Sequence, residues 1–380
     1  MLSHAENIDA LIERIALCQS RGDAFFPIGI FPSYRHNKYL FYRRPDTNIF
    51  YTATIVFILN QVKGKVSAKS QTIIEHITAR AIKNYPDFQN KDGLKTYNFW
   101  KTKPSKHFPN GSIFKHFDHF RIPDDIDDTA LVYLTLPYST EDTLWLKEKV
   151  KQHTHPPAPK GELNESQMGV YSTWFGKNMP IEHDVCALCN LMYLFEKHQL
   201  PHNEYDETVF AFLGEVILEE KYITDAFEVA HNYATTPLII YHYARLLGDF
   251  EIPQLEVCRE KLINKIKQLL DNELDTMNRV ILETSLMKLD KNQRLTRTQN
   301  RTADRSEFRT ARRTGQNSFT YFIAGLLSSY KNPILYFFAP FKITQMEWEC
   351  EAHELALIVE RTSEFAVKIN NANSEVRSTD

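Results

Sequence analysis

The chain has 380 residues, 43% of them hydrophobic and 12% aromatic, with a formal net charge of −3. Near-balanced charge argues against a nucleic-acid partner for the chain as a whole, and the length allows a large buried core. Five scattered cysteines (Cys18, Cys186, Cys189, Cys258 and Cys350) do not form a disulfide framework, which points to a reducing, cytoplasmic setting.

The first twenty residues are amphipathic and partly acidic, with no basic n-region or cleavage site, so no signal peptide is expected. No apolar run reaches the ~18 residues of a membrane-spanning helix. Helical periodicity dominates from there on, and convincing alternating strands are scarce. Two kinds of helix take turns. Segments 48–62, 125–136, 184–195, 236–247, 276–289 and 347–359 are apolar on nearly every side, the mark of a buried helix. Segments 5–19, 68–85, 141–153, 204–219, 255–270 and, less clearly, 319–330 carry a charged face, the mark of a half-exposed one. Six buried helices alternating with six half-exposed ones predict a two-layered ring, an all-α (α/α)6 barrel or toroid spanning 1–380 as one domain. The N-terminal helix would close it as the outer partner of the last inner helix.

The connections are uneven, and long loops tend to carry function. The loop 86–123 holds Tyr97-Asn98-Phe99-Trp100, and 153–180 holds Tyr171 and Trp174. The segment 291–315 has eight basic residues against Asp304 and Glu307. It reads as a solvated, mobile insertion, with a flap over an anionic ligand such as a diphosphate as the alternative. Nucleic-acid binding is disfavoured because no aromatics interleave with the charge. The apolar stretch 319–341 is broken by Lys331, Asn332 and Pro333. It reads as a buried connection, or else as an apolar mouth that touches a bilayer. Residues 370–380 read as a disordered tail.

The densest chemistry lies at Asp125-Ile126-Asp127-Asp128-Thr129-Ala130, where a polar loop turns into an apolar helix. Asp124 or Asp125 is a natural cap, and Asp127 and Asp128 then occupy the first turn, where the helix dipole favours ionised carboxylates. Crowding opposes this and lifts at least one pKa. A carboxyl that keeps its proton near neutral pH can serve as a general acid.

These six residues resemble the DxDDTA signature of class II terpene cyclases, a family that includes squalene–hopene cyclases and copalyl diphosphate synthases. The family's catalytic domain is an α/α barrel, which agrees with the helix alternation. The resemblance implies a proton-initiated cyclisation of a linear isoprenoid, with Asp127 as the acid and Asp125 and Asp128 as supporting carboxylates. Matching Asp184-Val185 to the family's next inner helix puts Leu188 where many members carry a supporting histidine, and makes His183 the substitute. No cofactor is implied, except Mg2+ should the substrate be a diphosphate. A carbocation needs aliphatic and aromatic walls, whose faces stabilise it. The candidate wall residues are Phe50, Tyr51, Phe57, Trp100, Tyr133, Trp174, Tyr193, Tyr241, Tyr243 and Trp348, with plain core packing the favoured reading for those on the inner helices.

Other constellations compete. His183, Cys186 and Cys189 could share a metal or give redox chemistry, but no second CxxC or HxxxH completes a zinc set, so buried structural cysteines are expected. Glu347, Glu351 and Glu354 share a helical face. With Asp127 they could supply the carboxylate pair of a glycan-active (α/α)6 hydrolase or lyase. The non-enzymatic alternative is a toroid that binds a lipid or a protein.

Overall fold

A computed structural model of the chain describes residues 4–103, 122–155, 168–176, 179–290, 319–327 and 332–378. These residues are mostly helical, with one small antiparallel sheet. The principal helices, in chain order, are α1 (His4–Cys18), α2 (Phe50–Val62), α3 (Ala68–Ala81), α4 (Ile126–Thr135), α5 (Thr140–Lys151), α6 (Val185–Lys197), α7 (Glu204–Leu218), α8 (Thr236–Asp249), α9 (Glu256–Leu270), α10 (Thr276–Leu289) and α11 (Glu351–Ser378).

Burial follows the two kinds of helix. Every residue from Phe50 to Leu59 in α2, from Ile126 to Leu134 in α4, and from Val185 to Phe195 in α6 is buried. In α3 only Ser70, Ile74, Ile77 and Ala81 are buried, and in α9 only Cys258, Leu262 and Ile266, a single stripe at helical spacing in each case. The apolar helices pack in chain order, α2 on α4, α4 on α6, α6 on α8, α8 on α10 and α10 on α11, and α11 returns to pack on α2. The striped helices lie against them: α1 on α11, α3 on α2, α9 on α10.

Aspartates start several of the buried helices. Asp125, Asp184 and Asp275 cap α4, α6 and α10 by accepting first-turn N–H groups, which satisfies donors that a helix leaves unpaired. Between α5 and α7 the buried Lys147 and Asp206 form an ion pair. Lys147 also donates to the Pro201 carbonyl at 2.8 Å, and Tyr171 donates to Asp206 at 2.9 Å.

The sheet was not expected. It comprises β1 (Ser33–Asn37), β2 (Tyr42–Asp46), β3 (Phe322–Gly325) and β4 (Gln345–Glu349), in the order β2-β1-β4-β3. Its register pairs Ser33 with Asp46, Tyr34 with Glu349 and Phe322 with Trp348. Two expected helices are thereby corrected. In the segment 319–330 the described residues hold strand β3, and 347–359 opens as strand before α11 begins at Glu351. The reason lies in Met346, Trp348 and Cys350, which are buried while Glu347 and Glu349 between them are only half-buried, a period of two. The last helix runs to Ser378, through most of the tail expected to be unstructured. The basic segment 291–315 lies outside the described residues.

Candidate functional site

The start of α4 is clamped by the two long loops. The Tyr97 N–H donates to Thr129 Oγ1 at 2.9 Å, the Asp125 N–H to the Tyr97 carbonyl at 3.2 Å, and the Ile126 N–H to the Thr173 carbonyl at 2.9 Å. All four aspartates from 124 to 128 are buried, but their partners differ. Asp124 accepts from Asn90 at 2.5 Å, Thr96 at 2.6 Å and Asn98 at 3.3 Å, so it ties down the loop. Asp125 accepts the Asp128 N–H at 2.7 Å as the helix cap. Asp128 has a buried Oδ1 with no hydrogen-bond partner.

Asp127 sits at the junction of three segments. Its Oδ1 accepts from Asn190 Nδ2 of α6 at 2.6 Å, and its Oδ2 accepts from the Tyr233 hydroxyl, which precedes α8. Asn190 Oδ1 in turn accepts from Arg245 of α8 at 2.5 Å. This bond fixes which end of the amide faces Asp127, because the oxygen must meet the guanidinium and the NH2 is left for the carboxyl. Arg245 is itself buried, with Nε and one terminal nitrogen unpartnered, over the faces of Phe57 at 4.8 Å and Tyr241 at 5.4 Å.

Protonation in this cluster follows burial. Desolvation raises the pKa of Asp127, while the Tyr233 and Asn190 hydrogen bonds and the Arg245 charge pull it down. Asp125 and Asp128 are both pushed up by burial and by neighbouring carboxylates. Of the two, Asp128 holds a proton more firmly, since Asp125 accepts a backbone N–H and Oδ1 of Asp128 accepts nothing. Asp184 is lifted to about 7, chiefly by burial, although it accepts from three backbone N–H groups.

The other sequence candidates scatter. His183 stands apart from the carboxylates: its Nδ1 lies 3.2 Å from the Tyr171 carbonyl, and its ring packs against Phe212. Burial lowers its pKa. The side chain from α6 that holds Asp127 is instead Asn190. Phe50 belongs to an aromatic cluster with Phe99, Tyr233, Tyr321 and Phe322, and Trp348 packs on Phe99 and Phe322. Tyr51 donates to the Trp348 carbonyl at 2.9 Å, and Tyr241 to Glu360 at 2.5 Å. Phe57 meets Tyr193 edge-on, and Tyr193 donates to Asp249. Tyr243 donates to the Leu213 carbonyl of α7 and so turns to the outer layer. Tyr133 stacks on Tyr138, Trp174 donates to Glu182 at 2.7 Å, and Trp100 and Trp348 both donate to Asp46. Hydrogen bonds thus anchor the rings of Tyr51, Trp100, Trp174, Tyr193, Tyr241, Tyr243 and Trp348, while Phe50 and Phe57 are held by ring contacts.

Cys186 and Cys189 are buried, and burial pushes both thiols up. Glu347, Glu349 and Glu351 are engaged with His36, Arg43 and Arg14. Among the described residues, no three His, Cys, Asp or Glu side chains form a group that could hold a metal ion. A cleft of about 1180 Å³ reaches inward to the buried Tyr233 and Tyr321, with Leu238, Phe319 and Ile323 on its walls. Tyr233, whose hydroxyl donates to Asp127, is among the lining residues, and Asp127 itself is not.

Sequence reasoning missed Asn190, Tyr233 and Arg245. Asn190 and Arg245 are polar residues inside otherwise apolar helices, and that is the signal by which they could have been found. No family model matches this chain, and no curated protein sequence matches it.

Proposed function

We propose that the chain is a class II-like terpene cyclase that isomerises a linear isoprenoid, with Asp127 as the proton donor. We also propose that the cycle of buried helices, sheathed by the striped ones, is an (α/α)6 toroid, with the start of α4 at one end of its barrel. One observation carries the functional reading: a buried carboxyl whose pKa is raised by desolvation, yet whose two oxygens are held by Asn190 and Tyr233. Burial favours the protonated form of the acid. The two hydrogen bonds stabilise the carboxylate left behind, which strengthens the acid at the moment of transfer.

The electron balance is that of an isomerisation. The alkene π pair takes the Asp127 proton and forms a C–H bond. The cation at the neighbouring carbon is attacked by the next double bond of the same chain, closing a ring. Loss of a proton from the final cation completes the cycle and returns Asp127 to its acid form. Phe50, Tyr233, Tyr321 and Phe322 supply aromatic faces near the acid, where a cation is stabilised. The substrate is a lipidic isoprenoid, as hydrocarbon or diphosphate, and Mg2+ would enter only with a diphosphate head group.

The test is incubation with a panel of linear isoprenoids, both hydrocarbons and diphosphates, followed by product analysis. Asp127→Asn is expected to remain folded and to yield no cyclic product. Product formation by that variant at the wild-type rate would overturn the assignment.

A further inference from the structure

One face of the molecule carries large apolar side chains that the fold leaves uncovered. A short 3-10 turn (Lys38–Leu40) followed by Phe41 joins β1 to β2, and it presents Tyr39, Leu40 and Phe41 to solvent. Phe41 is 98% exposed and holds a left-handed backbone at φ 49°, a conformation that a bulky residue rarely adopts. The segment before β4 presents Ile334, Phe337, Phe338, Phe341 and Ile343, with Ile334 at 84% and Phe337 at 73% exposure.

The two segments lie together although some 300 positions separate them. Asn37 Nδ2 donates to the carbonyls of Lys342 at 3.2 Å, Ile343 at 3.0 Å and Gln345 at 2.7 Å. An aromatic side chain offers roughly 150–250 Å², so this many half-exposed apolar groups exceed the few hundred Å² normal for a soluble monomer's largest patch.

The rim is cationic. Lys38, Arg43, Arg44 and Lys342 are all exposed beside the patch. The nearby Glu349 and Glu347 are largely withdrawn, at 15% and 13% side-chain exposure; Glu349 pairs with Arg43, and Glu347 with His36 and Lys342. The cleft also opens here. Exposed Lys38, Phe41, Pro340 and Lys342 line its outer part, and buried Tyr233 and Tyr321 its inner part.

We infer that this face docks on an anionic lipid bilayer, with the cleft opening onto the membrane surface. The phenylalanines enter the headgroup boundary and Lys38 and Arg44, flanked by the ion-paired Arg43 and Lys342, meet anionic headgroups, the combination by which a protein lies on a membrane without crossing it. Among the described residues no helix is long and apolar enough to cross. The surface is argued without the acid chemistry, and vesicle binding is read without turnover, so either proposal can fail while the other stands.

The test is co-sedimentation of the full chain with phosphatidylcholine vesicles, plain or containing about a third phosphatidylglycerol, at low and high salt. The wild type is expected to prefer the anionic vesicles and to lose that preference as salt rises. The Phe41→Ser/Phe337→Ser pair lies at exposed positions, so its thermal unfolding stays that of the wild type. It is expected to bind both vesicle types at least about tenfold more weakly, ~1.4 kcal/mol. The Lys38→Glu/Lys342→Glu pair is expected to abolish the anionic preference. Absence of vesicle binding, or binding unchanged by the serine pair, overturns the inference. So does a dimer in sedimentation that the serine pair dissolves while vesicles do not compete for it.

Discussion

Asn190 offers the sharpest single perturbation, because its side-chain amide bonds both Asp127 and Arg245. Asn190→Leu keeps a side chain of similar size in the middle of α6 and deletes both bonds. Asp127 Oδ1 and one Arg245 nitrogen are then buried without that partner. A buried polar group deprived of its hydrogen bond costs ~1–3 kcal/mol, so the two together cost ~2–6 kcal/mol. Leucine's burial returns ~1.5–3 kcal/mol, which leaves a net loss centred on ~2 kcal/mol. Urea unfolding reads this as a lower midpoint at unchanged slope. Tyr233→Phe, which removes the other donor to Asp127, completes a double-mutant cycle. Because both residues act on one carboxyl, their effects should couple by ~0.5–3 kcal/mol. The pH dependence has a sign as well. Asn190 lowers the Asp127 pKa, so its removal raises it, and the pH at which acid-dependent activity falls off moves upward while the maximal rate drops. A stability loss below ~1 kcal/mol, or strict additivity with Tyr233→Phe, would refute the claim that Asn190 bridges a buried acid to a buried cation.

The crowded carboxylates also make stability depend on pH. Asp128 has a raised folded-state pKa, so the folded protein keeps a proton that the unfolded chain loses above pH ~4. Stability from this group is therefore greatest at low pH and falls as pH rises towards the folded pKa, at up to ~1.4 kcal/mol per pH unit. Asp128→Asn removes that penalty and is expected to gain on the wild type between pH 5 and 8 in urea midpoints; a constant difference across that window would contradict the assignment of the proton. Lys147→Met strands the buried Asp206 carboxylate without its cation and should cost ~3–5 kcal/mol, read by thermal unfolding. Lys147→Met/Asp206→Asn should recover part of the loss, and no recovery would mean that Lys147 acts through packing alone.

Residue periodicity carried most of the helical content. The segment 276–289 coincides with α10, and α2, α4 and α6 begin within two residues of the expected positions, because helices apolar on all sides leave an unambiguous trace. The sheet was hidden for a physical reason. In β1 the inward-facing positions are Ser33, Arg35 and Asn37, which invert the usual apolar-in pattern, so hydrophobicity could not report the strand. Arg35 is tolerated inside by Asp46 and Tyr42, partners that only the folded register supplies. At the site, the carboxylate run was legible because its residues are adjacent. Asn190, Tyr233 and Arg245 were not, since they meet Asp127 from 63 or more positions away, and no local spacing encodes that meeting. His183 is the substitute for a family histidine matched to Leu188, but it lies ahead of the Asp184 cap with its ring against Phe212, whereas Asn190 sits inside α6 and reaches Asp127.

The pairing of β1 with β4, and of α2 with α11, joins parts of the chain about 300 residues apart. Closing a loop of that length costs roughly (3/2)RT ln n, ~5 kcal/mol, which contacts along the seam must offset. The segment of β4 and α11 must therefore dock on that of β1 and α2, made about 300 residues earlier, before the Trp348 indole reaches Asp46. During synthesis α2 emerges well before α11, so the α11-facing side of α2 stays uncovered while about 300 further residues are made.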